Sequence, residues 1–338
     1  MKKLFTLLAF ATLLTGCAFG SSTSQNSEKS VSDNPGSTSD VTSLTPSDST
    51  SDTSTVTPDP IVDLDQLKEQ YGEFSITTEK GDEPILSSDG KIYTITVSAA
   101  KSAYTISGYF EGQIVINNEN ELDSYKGVEL TLSNACLVYN SGSTIDYQVD
   151  GKNVEVKAKK NTENYIINLS EVSSDSAINS GKNIEVDGKG ILNIITESSH
   201  GLKADDTIRF YDAPTINITS GHDAIHAAKF VSNNEEVAED LEEFTGTLNV
   251  LSALSQAFDC TTSKGKGKIT LLTGIYNINN CESAFKTDVS LTIGSTVVVS
   301  NLTSDPVVRG DNSTGVTIEI TETGSFTVDG VDYTETNI

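Results

Sequence analysis

Tryptophan is absent from the 338-residue chain, methionine occurs once, and arginine occurs only at Arg209 and Arg309. Cations are scarce as well: 22 Lys and Arg stand against 48 Asp and Glu, a formal charge of −26. Binding duplex nucleic acid or an anionic membrane face needs basic patches that release counterions, so both are excluded as partners. Helix-favouring stretches are few, and nothing suggests a nucleotide-binding α/β enzyme. From Ser75 onward Ser, Thr, Asn, Gly, Val and Ile dominate, a composition of strands and turns. No aromatic-rich or basic domain is hidden in the remainder, and residues 61–338 are long enough for one large core.

The N-terminus carries the strongest short signal. Lys2 and Lys3 precede an apolar run from Leu4 to Leu14, too short for a permanent membrane-spanning helix. Leu14-Thr15-Gly16-Cys17 follows and looks like a bacterial lipobox: residues 1–16 are cut away and Cys17 becomes the acylated N-terminus. Several acyl chains suffice for stable anchoring, so the expected location is extracytoplasmic, at the cell membrane, through lipid alone. Residues 17–60 are rich in Ser and Thr with scattered Asp and Pro and offer no apolar face to bury, so they are expected to be a disordered tether. As a coil it would average roughly 35 Å end to end.

Asp63 to Tyr71 is expected to form a short helix with Leu64, Leu67 and Tyr71 on one face. Beyond it come short alternating runs such as Ile92–Val97, Gln113–Ile116, Val128–Leu132 and Val154–Val156, bounded by Gly, Asn, Asp or Ser. These runs alone suit an antiparallel sandwich as well as a solenoid. A repeat favours the solenoid. A polar, a small and an apolar residue recur at Ser176-Ala177-Ile178, His200-Gly201-Leu202, Asp223-Ala224-Ile225, Gln256-Ala257-Phe258, Ser283-Ala284-Phe285 and, loosely, Pro306-Val307-Val308. The apolar marks are 24, 23, 33, 27 and 23 residues apart. Two further strands fit in each unit, which predicts an all-β, single-stranded right-handed parallel β-helix of three short strands per coil. The long interval holds an acidic insertion at 233–244, read as a short helix or lid, or as a solvated bulge.

Ser176-Ala177-Ile178-Asn179-Ser180, His200-Gly201-Leu202-Lys203-Ala204-Asp205-Asp206 and Gly221-His222-Asp223-Ala224-Ile225 resemble the secreted bacterial carbohydrate-binding β-helix proteins, often lipoproteins, related in architecture to pectate lyases. The resemblance runs from about Ile92 to the C-terminus and is clearest between Ser176 and Ala228. It implies polysaccharide binding, including acidic pectic chains, and calcium. His200 and Ala228 stand where the family would carry Asp.

Aligning the apolar marks gives one outward column of Asn179, Lys203, His226, Asp259, Lys286 and Arg309, and another of Gly181, Asp205, Ala228, Thr261, Asp288 and Asp311. Residues in one column lie about 4.8 Å apart. Lys203, His226, Lys286 and Arg309 are therefore the candidate ligand-binding residues, with Asp205, Asp206, Asp223 and Asp259 as candidate Ca²⁺ ligands. An ordinary mixed-charge exposed face is the plainer alternative. Tyr104, Tyr109, Tyr125, Tyr139 and Tyr147 are candidate sugar-stacking surfaces. All three histidines, His200, His222 and His226, fall on adjacent coils near Asp223. They read as a transition-metal site, an acid/base centre, or, as the expectation here, turn-lining side chains bonded to backbone. Of Cys136, Cys260 and Cys281, an odd number, not all pair internally; a Cys260–Cys281 disulfide and buried thiols both remain open.

Three functions compete. The first is a non-catalytic, surface-displayed polysaccharide-binding module, expected to be a monomer. The second is a calcium-dependent lyase with Arg309 or Lys203 as base. The third is an adhesin or spacer without a sugar site.

Overall fold

The computed structural model describes residues 62–97, 101–118, 127–149, 153–232 and 243–334. The signal segment, Cys17, the tether, Tyr125 and residues 233–242 of the insertion lie outside the described residues. Among the described residues no helix is long and apolar enough to cross a membrane.

All strands belong to one largely parallel sheet that winds back on itself. Apart from the short antiparallel strands at the two ends, each strand pairs not with its chain neighbour but with its counterpart one coil later. Three faces result. The first runs through Gln113–Asn118, Ile145–Tyr147, Ser176–Ser180, His200–Ala204, Ile225–Ala227, Gln256–Cys260, Ser283–Thr287 and Val307–Arg309. The second runs through Val128–Leu132, Asn153–Ala158, Asn183–Gly188, Ile208–Phe210, Lys229–Val231, Lys268–Leu271, Ser290–Ile293 and Thr317–Ile320. The third runs from Tyr109 through Cys136, Tyr165 and Asn193 to Asn217, Asn249, Asn277, Val298 and Thr327. This is a β-helix-like solenoid, the parallel stacking that the repeat requires.

Alternation explains the interior. On the first face Ile114, Ile145, Ile178, Leu202, Ile225, Phe258 and Phe285 stack in register and are fully buried. Phenyl rings continue the stack: Phe210 to Phe230, Phe230 to Phe258 and Phe258 to Phe285 have centroid separations of 5.0, 4.9 and 5.4 Å. Phe244, the last residue of the expected insertion, is buried against Phe210 and Tyr276.

Several expectations change. Val307, not Val308, sits over Phe285, because adjacent valines offer two phases and only one can point inward. Arg309 consequently pairs with Thr287, outside the Lys203–Lys286 column. Tyr104 and Tyr147 are fully buried and Tyr109 nearly so; inward phase makes the first two core residues, and Tyr109 is covered by the helix Leu64–Tyr71. That helix starts at the Asp63 cap, and its Leu67 packs on Tyr109, Cys136, Val138 and Ile167. Asp288, placed in an outward column by sequence, is buried and accepts the amides of Thr262 and Gly267. Cys136, Cys260 and Cys281 are free and buried.

The ends of the stack are covered. Ser75–Lys80 pairs antiparallel with Ala103–Ser107, Ile85–Leu86 with Tyr93–Thr94, and Val331–Asp332 with Thr327–Val328. Such strands occupy edges that would otherwise offer open hydrogen-bonding groups to another sheet.

Phe258→Ala is expected to cost about 3–5 kcal/mol, since it empties the middle of the phenyl stack. Leu254→Ala, at a side chain 77% exposed, should change stability by less than about 0.5 kcal/mol. Urea unfolding midpoints at unchanged slope check the pair.

Candidate functional site

The outward column of the first face runs Asp146, Asn179, Lys203, His226, Asp259 and Lys286, one side chain per coil. Its members are bonded to one another or to the adjoining turns. Asn179 Nδ2 donates to Asp146 Oδ1 at 2.8 Å, Lys286 Nζ lies 3.1 Å from Asp259 Oδ2, and Lys203 Nζ donates to the Ser174 carbonyl at 2.8 Å. Burial works against the Lys286 charge, but Asp259 outweighs it and holds the ammonium above its usual range. Lys203 and Lys286 thus share a column, three coils apart with His226 and Asp259 between them.

Beside this column the corner residues Ser176, His200, Asp223, Gln256 and Ser283 are all buried. Two glycines permit the tight stacking. A Cβ on Gly201 would lie 2.5 Å from the Ala224 carbonyl oxygen, and one on Gly221 would lie 1.9 Å from that of Glu197. The close approach brings His200 of one coil and His222 and His226 of the next onto a single atom: their Nδ1 atoms lie 3.3, 3.3 and 3.1 Å from Asp223 Oδ2. The other oxygen, Oδ1, accepts the Gln256 amide at 3.1 Å. Burial opposes the Asp223 charge, yet the imidazoles of His200 and His226 and the Gln256 amide hold its carboxyl well below the usual range. Burial pushes the His200 imidazole down. The histidines therefore converge on a carboxylate, where sequence led us to expect turn backbone.

The other expected calcium ligands are engaged elsewhere or apart. Asp206 pairs with Lys182 at 2.8 Å, Asp259 accepts from Thr261 and pairs with Lys286, and Asp205 is exposed. Among the described residues the one group of three or more metal-type donors within 4.8 Å of one another is His200, Asp223 and His226. Ca²⁺ takes six to eight oxygens, so this nitrogen-rich set does not fit it. A solvent-open depression of about 540 Å³ lies alongside, lined in part by Asn140, Ser170, Glu171 and Asp175.

A second constellation escaped the sequence reading. On the second face Glu129, Glu155, Glu185 and Arg209 stack in one column, with Thr131, Lys157 and Asp187 in the next but one. Lys101 lies 3.2 Å from Glu129 and 2.9 Å from Glu155. Lys157 lies 3.1 Å from Glu155 and 3.3 Å from Asp187. Asp187 Oδ1, Arg209 Nε and the Tyr211 hydroxyl are buried without a hydrogen-bond partner. Burial, then the Glu155 charge, push the Asp187 carboxyl up to about 7, while Lys101 and Lys157 overcome burial and keep Glu155 below its usual range. The two acids share Lys157 and titrate as a pair. The coil lengths between these residues, 26, 30 and 24, are too uneven for a sequence period to reveal the column.

Residues 89–336 match the family described as carbohydrate-binding domain-containing protein. The chain belongs to that family. A solved structure titled as the polysaccharide lyase-like protein from C. thermocellum, a gadolinium derivative, superposes with a TM-score of 0.54 over 72% of this chain and 92% of that one, at 16% identity. That likeness concerns the fold. No curated protein matches the chain.

The raised Asp187 carboxyl fixes a sign for pH dependence. Between the unfolded carboxyl's ordinary value near 4 and about 7 the folded chain binds more protons than the unfolded one, so this group lowers stability as pH rises through that window. Asp187→Asn is expected to flatten that part of the pH profile, read from urea midpoints between pH 4.5 and 8.

Proposed function

We propose that this chain is a surface-displayed lipoprotein, anchored by the acylated Cys17 and extended on its Ser/Thr-rich tether, whose domain binds an extracellular polysaccharide of plant cell-wall or acidic pectic type without cleaving it. In this reading it acts as a monomer outside the cytoplasm, with lipid its only membrane contact. The coils wind right-handed as a single-stranded β-helix, in keeping with the strong preference of parallel crossover connections for that hand.

The observation that carries the reading is the family match over 89–336, which spans the stacked coils. The geometry supports it: a linear polymer meets a linear column of polar side chains, with Lys203 and Lys286 as cations for its carboxylates and His226 between them. Arg309 joins from the neighbouring column at the C-terminal end. Calcium enters as a bridge between an acidic polymer and the exposed Asp205, since the other acids are occupied by lysine or histidine.

A second reading, a polysaccharide lyase, draws on the three unpartnered buried atoms of Asp187, Arg209 and Tyr211. In such a reaction a base on the second face takes the proton α to a uronate carboxylate, the bond to the leaving glycosidic oxygen breaks, and an unsaturated sugar forms. An adhesin without a sugar site is the remaining alternative.

Affinity electrophoresis of the whole mature chain through gels containing polygalacturonate, with and without Ca²⁺, tests the main reading. Retardation is expected, and Lys203→Ala and Lys286→Ala should each weaken it by up to about fivefold, an exposed ion pair contributing up to ~1 kcal/mol. Absence of retardation on pectic and cellulosic gels alike would leave the adhesin. Ultraviolet-absorbing product that disappears in Arg209→Lys would establish the lyase.

A further inference from the structure

The convergence of three imidazoles on Asp223 is more than one carboxylate oxygen can use as a hydrogen-bond acceptor. Only His226 Nδ1 makes a hydrogen bond to Oδ2; the Nδ1 atoms of His200 and His222, also buried, have no partner of acceptable geometry although they lie 3.3 Å from the same oxygen. His200 as a whole is only 6% exposed and Asp223 1%, so water has little access to make good the deficit. The buried His200 Nδ1, without a hydrogen-bond partner and 3.3 Å from a carboxylate whose second oxygen is fixed by the Gln256 amide, is a donor atom available to a metal ion.

The spacing identifies what fits there. In a tetrahedral site neighbouring donors are separated by about 1.63 bond lengths, and Zn–N and Zn–O bonds of about 2.0–2.2 Å put that edge at roughly 3.3–3.5 Å. The three N···O separations here are 3.3, 3.3 and 3.1 Å. Imidazole nitrogens select zinc, copper, iron or nickel over the hard alkaline-earth ions. The Gln256 amide on Oδ1 supplies the outer bond that orients a ligating carboxylate.

We propose that His200, His226 and Asp223 bind a divalent transition metal of the Zn²⁺ type, with water as the fourth donor on the side of the half-buried His226. The site is built from two successive coils, so the ion clamps one coil to the next at the corner from which the polysaccharide column rises. It is separate from carbohydrate binding in that it is detected with no sugar present.

The untagged mature chain, freed of metal by chelator, is titrated with Co²⁺ and, by equilibrium dialysis, with Zn²⁺. One ion per chain is expected, with the intense visible absorption of tetrahedral Co²⁺, and excess Ca²⁺ should not displace it. His226→Ala, at a half-buried side chain and with folding checked by circular dichroism, should weaken Zn²⁺ binding at least tenfold, whereas His222→Ala should leave one ion bound per chain. Binding below one equivalent, binding equal in His226→Ala, or displacement by millimolar Ca²⁺ overturns the site.

Discussion

Everything in this molecule follows from one constraint: each strand pairs in parallel, in register, with its equivalent on the next coil. Ile178 lies over Ile145 and under Leu202, so a residue's neighbours are set by phase and not by chain proximity. The inward phases are mostly apolar, with buried polar side chains such as Asn168 and Thr287 bonded to backbone carbonyls, and the outward phases become continuous strips. The same rule builds Asn193, Asn217, Asn249 and Asn277 into a ladder in which each amide donates to the one before at 2.8 Å. Parallel stacking cannot close on itself, so the ends require antiparallel strands and the aromatic groups Phe74, Tyr93 and Phe110 at one end and Phe326 and Tyr333 at the other.

Phase also decides what could be read in advance. The polar-small-apolar mark located the first face from Ile178 to Phe285, because one large apolar residue per coil leaves no ambiguity. Val307-Val308 leaves ambiguity, and a slip of one residue exchanges inside for outside; that slip is the whole reason Arg309 was placed beside Lys286. Tyr104 and Tyr147 show the complementary error, in which residue type suggested a sugar platform while alternation had already assigned both to the core. The Glu129–Glu155–Glu185–Arg209 column was out of reach because coils of unequal length conceal a register that only the hydrogen-bond ladder establishes.

The excess of acid is distributed, not uniform, and this bears on partners. Lys101, Lys157, Lys182, Lys189 and Lys286 each lie against a carboxylate, so these cations meet an incoming anion only in competition with the chain's own acids. A polyanion approaching the first face must compete with Asp259 for Lys286. Duplex nucleic acid, which draws its affinity from many phosphate contacts at once, finds no such surface. A polysaccharide with spaced carboxylates and many hydroxyls asks less of the charge and more of a regular row of donors and acceptors, which a solenoid provides at every coil.

The nitrogen-rich corner at Asp223 changes the sense of that row. The resemblance to carbohydrate-binding β-helices leads one to expect an acid where His200 stands, and an acid there would place two carboxylates on adjacent coils, a donor set for a hard cation. With histidine the corner keeps a single carboxylate, and a dication bound there would leave net positive charge instead of cancelling a pair of negatives. That charge would sit between Lys203, one coil below His226, and Asp259, one coil above it. It would oppose the attraction of Asp259 for an incoming cation and favour an incoming carboxylate. Under the proposed metal site, histidine in place of the acid that the resemblance leads one to expect would make this part of a strongly acidic chain more receptive to an acidic polymer, because the corner and the column are two phases of the same strand.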